Sequence, residues 1–134
     1  MLRIQKATEE DFQKIQSILN ELDLDHMNQD LDKFVVAADK QKIIGIAEIS
    51  EYENFSFIYS FGIIKELQSK GYGKDFLSKL LKQLKKPVYL YTIIPEFFLK
   101  NGFVLTEFIE GLPPRSTEFC SNCEPDKCAI LKFN

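Results

Sequence analysis

One short stretch of the chain combines residue type and spacing in a way that points to chemistry: Gln68-Ser69-Lys70-Gly71-Tyr72-Gly73-Lys74. Two glycines two apart, bracketed by lysines, precede a helical pattern. Successive backbone N–H groups in such a turn make a concave anion site, and the start of a helix adds partial positive charge. Gly71 and Gly73 let the backbone approach a phosphate with no Cβ in the way. Lys70 and Lys74 add positive charge. The spacing fits neither the Walker A pattern nor the dinucleotide-binding glycine pattern. A plain glycine turn before a helix is the competing explanation.

Acid–base chemistry has fewer sources. Glu48 lies among Ile46, Ala47 and Ile49. A carboxylate in an apolar setting can serve as a general base, whereas an alternating strand can also turn it to solvent. Tyr59 carries a hydroxyl that needs a partner if buried. His26, the sole histidine, lies in a polar segment and reads as a surface residue or as cover over a site. Cys120-x-x-Cys123-x-x-x-x-Cys128 supplies three thiols where a structural zinc site takes four ligands. A structural tail, a redox-sensitive Cys120–Cys123 pair and a three-thiolate site completed by Asp126, Glu124 or a symmetry partner stay open, and the expectation is no bound metal.

These residues must be positioned by elements that the hydrophobic pattern marks out. Residues 2–6 read as a strand. Thr8 and Asp11 make an approximate capping box for a helix with Phe12, Ile15, Ile18, Leu19 and Leu22 on its apolar face. Residues 23–32 are polar and read as a loop or loose helix. Strands are expected at 34–38 and 43–50, joined by a turn at 39–42, and at 55–64. A helix over 73–84 turns Phe76, Leu77, Leu80, Leu81 and Leu84 inward. A strand at 87–94, a helix from Pro95 to about Lys100 ended by Gly102, and strands at 103–109 and 129–133 complete the order β-α-β-β-β-α-β-α-β-β. Strict alternation puts Phe55, Phe57, Tyr59, Phe61 and Ile63 on one face. The fold class is mixed α/β, in one domain spanning 1–134, with antiparallel strands first and a strand-helix-strand crossover later.

Composition bounds the function classes. With 134 residues, 45% hydrophobic and 28% charged, the chain can bury one core and is not of disordered type. A net charge of -3 argues against a general nucleic-acid binder. The charge is uneven: residues 8–32 hold eight acids and one lysine, and residues 73–86 hold five lysines and one acid. A local basic helix on an acidic chain suits a small anionic ligand. No apolar run nears the roughly 18 residues of a membrane span, and no signal-peptide pattern opens the sequence. A cytoplasmic protein without membrane contact is the expectation.

The strand, the Q-x-x-G-x-G loop and the basic amphipathic helix together resemble the acetyl-CoA pyrophosphate loop of the GNAT superfamily of N-acetyltransferases. "YLYTIIPEFFLKNGF" (89–103) resembles that superfamily's strand and following helix ending in K-x-G-F, and "LRIQKATEEDFQKIQSIL" (2–19) its opening strand and helix. The tail is similar to short N-acetylglutamate synthase-like enzymes through T-x-x-PEFF-x-K-x-GF, and to arsinothricin-type N-acetyltransferases through "STEFCSNC" (116–123).

The resemblance implies a central mixed sheet of about six to seven strands, flanked by helices and splayed at the cofactor site. It assigns acetyl-CoA as cosubstrate, held by Phe61, Gly62 and Ile63 on the central strand, by Gln68, Ser69, Lys70, Gly71, Tyr72, Gly73 and Lys74 in the loop, and by Thr92 and Phe98. Three positions depart from the related families. Tyr59 stands before Ser60 where an Arg able to hold an acceptor carboxylate is expected, Phe57 where the synthase-like enzymes have a Glu, and Phe98 where many members present a Tyr as thiolate acid. Phe57 and Tyr59 then face the acceptor, implying a more aromatic pocket; plain core is the other reading of Phe57. Glu48 and Tyr59 are the candidate catalytic residues. The implied activity is direct transfer of acetyl to a primary amine of a small molecule, an amino acid or analogue among the options. A non-catalytic CoA-binding sensor or scaffold is the alternative, and a bare α/β domain without CoA the third. The implied partner is the amine; nucleic acid and membrane are not implied, and a homodimer is compatible.

Overall fold

The computed structural model describes residues 2–22, 31–92, 95–107, 109, 111–112 and 129–134. Within them the elements are β1 (Leu2–Lys6), α1 (Phe12–Glu21), β2 (Phe34–Asp39), β3 (Lys42–Glu51), β4 (Ser56–Ile63), α2 (Tyr72–Gln83), β5 (Val88–Thr92), α3 (Glu96–Lys100), β6 (Val104–Thr106) and β7 (Ala129–Phe133). Seven strands form one sheet in the order β1-β2-β3-β4-β5-β7-β6. Every pairing is antiparallel except β4 with β5, which run parallel. A parallel pair requires a long crossover, and α2 is that crossover. The architecture is mixed α/β, as expected. Most of the polar segment (23–30) and the cysteine-bearing stretch (113–128) lie outside the described residues.

Local chemistry explains the helix starts and faces. The Asp11 carboxylate accepts from the Thr8 N–H at 2.9 Å and from its hydroxyl at 3.2 Å. A 3-10 turn, Glu9–Asp11, feeds into α1. Ile15, Ile18 and Leu19 bury one stripe of α1, while Phe12, expected on that stripe, stays 36% exposed. In α2 the buried set is Phe76, Leu77, Leu80 and Leu81. Leu84 leaves the helix in extended conformation and is only half-buried. Consecutive residues of β2 (Val36 to Ala38) and β3 (Ile44 to Ile49) are buried, so both faces of these central strands are covered. The approach of α2 is close: a Cβ on Gly45 of β3 would lie 2.7 Å from Ile63 Cδ1 and 3.3 Å from Phe76 Cδ2.

Two expectations are corrected. The strand expected at 103–109 is only three residues long, because its partner β7 begins at Ala129 and the ladder ends at Thr106↔Ile130. The alternation along β4 is broken by a β-bulge. Glu48 of β3 faces Ser60 while Ile49 faces Ile58, leaving Tyr59 as the extra residue. One inserted residue flips the face of everything beyond it. Phe57 and Tyr59 therefore belong to a smaller aromatic cluster with Tyr52, Phe55, Tyr89, Tyr91, Leu112 and Ile130. Phe61 and Ile63 pack instead into the main core with Phe76 and Leu77.

The packing separates two leucines sharply. Leu80 is 1% exposed under the sheet, and Leu105 on the β6 edge is 65% exposed. Leu80→Ala should cost about 2–5 kcal/mol and Leu105→Ala within about 0.5 kcal/mol, read from urea unfolding midpoints. Equal losses would contradict the assignment of the α2 inner face.

Candidate active site

The parallel pair β4–β5 holds only through Ser56↔Val88, Phe57↔Tyr89 and Ile58↔Leu90. Both strands then run on, β4 to Ile63 and β5 to Thr92, without further pairing to each other. The bulge at Tyr59 comes one residue after the last pair, so the kink and the parting coincide. The segment 59–63, which contains Phe61, Gly62 and Ile63, thus turns an edge toward a gap. The carbonyl of Ile63 accepts a hydrogen bond from Gln68 Nε2 at 2.9 Å. Gln68 thereby ties the following loop to the strand end.

That loop is shaped by two left-handed residues, Ser69 (φ 67) and Gly71 (φ 91). At Gly71 a side chain would be strained by the backbone, although a Cβ would meet nothing within 4 Å. Gly73 is also constrained by packing. A Cβ there would sit 3.3 Å from Phe97 Cζ and 3.8 Å from Ile63 Cγ1, so the glycine lets α3 and β4 pack on the helix start. The first intrahelical bond runs from the Asp75 N–H to the Gly71 carbonyl at 3.2 Å, and no side chain caps the helix. The N–H groups of Tyr72, Gly73 and Lys74 precede that bond and carry the positive end of the helix dipole. Lys70 and Lys74 are exposed beside them. Tyr72 is half-buried, its hydroxyl 3.5 Å from the Asp39 carboxylate at the β2–β3 turn.

A run of phenylalanines connects this loop to the sheet end. Phe61 stacks on Phe76 at 4.9 Å and meets Phe97 at 6.1 Å and Phe98 at 6.0 Å. Phe98 continues to Phe103 at 5.6 Å, and Phe103 to Phe133 at 5.4 Å. Phe98 is buried and has no hydroxyl to act as an acid. Thr92 lies half-buried at the end of β5.

The other face of the gap holds Tyr59. Its hydroxyl lies 2.5 Å from that of Tyr52. Burial, and then the hydrogen bond and proximity of Tyr52, push the Tyr59 phenol well above its ordinary value of 10.0, opposed in part by the Ser50 hydroxyl. Tyr59 is thus a neutral hydroxyl near pH 7 and not a base. Glu48 is 6% exposed, which rules out the solvent-facing alternative. It pairs with Ser60 across the ladder, and its charge adds to the rise at Tyr59. Tyr52, Tyr89 and Tyr91 join this face without having been singled out in the sequence. The available signal was the alternation Tyr89-Leu90-Tyr91, with the tyrosines on the face that leaves the core. His26 and the three cysteines lie outside the described residues, among which no cluster of three or more metal-ligating side chains occurs.

The chain belongs to the acetyltransferase (GNAT) family, whose model matches residues 1–103. Solved structures of similar fold include N-acetylglutamate synthase from Neisseria gonorrhoeae complexed with coenzyme A and N-acetyl-glutamate, at TM-score 0.76 and 17% identity. That match covers 99% of this chain and 35% of the synthase chain, so the present chain spans about a third of that relative. PaiA N-acetyltransferase from Thermoplasma acidophilum in complex with coenzyme A superposes at TM-score 0.72 and 16% identity, covering 100% and 99% of the two chains. Arabidopsis thaliana Naa50 with the bisubstrate analogue CoA-Ac-MVNAL gives 0.67 and 16%, covering 99% and 98%. At these identities the likeness establishes the fold. Among the described residues no helix is long and apolar enough to cross a membrane.

The raised Tyr59 value has a consequence for stability. The folded state favours the protonated phenol, so this contribution is complete below the ordinary value of 10.0 and is lost as pH rises above it. Urea midpoints of the wild type should fall more steeply between about pH 9 and about pH 11 than those of Tyr59→Phe. Parallel slopes would contradict the half-buried hydroxyl pair.

Proposed function

We propose that this chain, as a single domain over 1–134, is an N-acetyltransferase that moves acetyl directly from acetyl-CoA to a primary amine of a small molecule. The observation that carries the reading is the uncapped start of α2, with Gly71 in open space, set beside a β4–β5 pair that parts at Ile58. In a GNAT family member this combination fits the cosubstrate on the residues present. The N–H groups at the α2 start, with Lys70 and Lys74, would hold the pyrophosphate. The free edge of β4 at Phe61, Gly62 and Ile63 would take the extended arm by strand-like hydrogen bonds. Gln68 and Ser69 shape the loop, and Tyr72 and Gly73 anchor it to β2 and α3. Thr92 and Phe98 border the gap from the far side. When bound, acetyl-CoA supplies the acetyl group as a thioester.

The remaining chemistry belongs to the other face. The overall change forms an amide C–N bond and breaks the thioester C–S bond. An incoming ammonium gives up two protons, one retained by the released thiol and one passed to solvent. Glu48, buried beside Tyr59, is the carboxylate able to receive a proton, and Tyr59 the neutral hydroxyl that orients the amine. A backbone N–H near the bulge is suited to stabilise the oxyanion. A cytoplasmic setting, without nucleic-acid or membrane partners and with a homodimer allowed, accords with this role. The second reading, a CoA-binding sensor without catalysis, is favoured by one observation: Phe98 offers no acid near the gap.

Isothermal titration with acetyl-CoA should show one site, and Gly71→Glu should weaken it at least about a hundredfold by placing a negative charge at the helix start. Retained affinity in that variant would remove the loop from the binding site. Thiol release on adding an amine distinguishes enzyme from sensor.

A further inference from the structure

The gap between β4 and β5 has two unlike mouths. On the α2 side stand Phe61, Ile63 and Phe97, next to the glycine loop. On the other side stands a surface of rings. Phe57, 1% exposed and so plain core, lies beneath it against Tyr59 at 4.9 Å and Tyr91 at 4.8 Å, and Tyr52 stacks on Phe55 at 4.8 Å. Among the described residues, the polar groups set into it include the paired Tyr52 and Tyr59 hydroxyls, the Ser50 hydroxyl and the buried Glu48, whose charge is felt at Tyr59. Among the described residues two ammonium groups touch its rim, and both are engaged. Lys132 Nζ lies 5.9 Å from the Tyr89 ring centroid, and Lys85 Nζ donates to the carbonyls of Tyr52 and Glu53 at 3.0 and 3.1 Å.

Such a surface discriminates by charge. A carboxylate entering it would meet Glu48 as a like charge and ring faces whose quadrupole is negative. An ammonium meets the opposite: attraction from the ring faces and from Glu48, and hydroxyl oxygens that accept its N–H groups. An apolar or aromatic body gains by covering the rings.

Resting on the transferase reading, we propose that the acceptor is a primary amine on an aromatic or otherwise apolar body without a carboxylate. Its body packs on the half-buried Tyr59 and Tyr91, which Phe57, fully buried, backs from within, and its amine is directed to the Tyr52–Tyr59 hydroxyl pair. The pair of hydroxyls marks where the nitrogen waits, one residue from the point at which β4 leaves β5.

The cleanest comparison uses two amines that differ only in the carboxylate, 2-phenylethylamine and L-phenylalanine, with L-glutamate as a third. With the full chain and saturating acetyl-CoA, thiol release should give a kcat/KM for 2-phenylethylamine at least about tenfold above either amino acid. Tyr59→Phe, which keeps the ring and removes the hydroxyl, should raise KM for 2-phenylethylamine several-fold while acetyl-CoA affinity is unchanged. Faster turnover of L-glutamate or L-phenylalanine overturns the acceptor class and leaves acetyl transfer standing. Tight acetyl-CoA binding with no thiol release from any of the three amines overturns both. An unchanged KM in a folded Tyr59→Phe protein removes the hydroxyl pair from amine recognition.

Discussion

A parallel strand pair that stops after three residue pairs leaves backbone donors and acceptors to be satisfied elsewhere, and most of this site follows from that. β4 and β5 pair up to Ile58↔Leu90 and then part, although each strand continues. Unpaired backbone groups in a partly buried gap cost free energy unless something bonds to them. Gln68 meets the Ile63 carbonyl from within the chain. An extended ligand with its own amides is suited to the remainder of that edge, by the same physics that lets a peptide add to a sheet. The bulge at Tyr59 then decides which side chains look into the gap from each face. Without it Phe61 and Ile63 would share a face with Tyr59, and the packing on the α2 side and the tyrosine surface would collide.

The loop and α3 depend on each other through small contacts. A helix of five residues has little stability of its own and is held by what it packs on. Here Phe97 lies against Gly73, and Phe98 is buried between Phe61 and Phe103. The same rings that hold α3 therefore fix the start of α2, where the amides point outward. Aromatic pairs at about 5–6 Å contribute beyond their buried area, so this chain of rings transmits position from β7 to the loop.

How far the sequence could be read follows from which quantities are local. Helix faces came through because Ile15, Ile18 and Leu19, and Phe76, Leu77, Leu80 and Leu81, repeat at helical spacing. Gly71 adopts a left-handed φ before the helix, a conformation glycine takes without strain. The bulge did not come through, since alternation counted along β4 alone contains no sign of a register shift against β3. The same omission hid the tyrosine face, because Tyr52, Tyr89 and Tyr91 come together only through pairing. Glu48 was open to either face by periodicity, and its burial is a tertiary fact. The packing of Gly73 against Phe97 was equally hidden, because the two are distant in sequence.

In the proposed transferase reading, the donor side and the acceptor side differ in what they are made of, and this explains their unequal legibility. The donor side consists of backbone amides, two positive φ angles and a strand edge, which many sequences can build. Chains only 16–17% identical to this one superpose at TM-scores of 0.67–0.76. The acceptor side consists of side chains, and there similarity of backbone carries no information. Glutamate chemistry and peptide-like ligands occur on the same frame in those relatives. In this chain that side holds a set of rings on one face of β4 and β5, with the buried Glu48 beside them. Its ligand preference has to be argued from the charge and shape of that face, because the fold is silent about it.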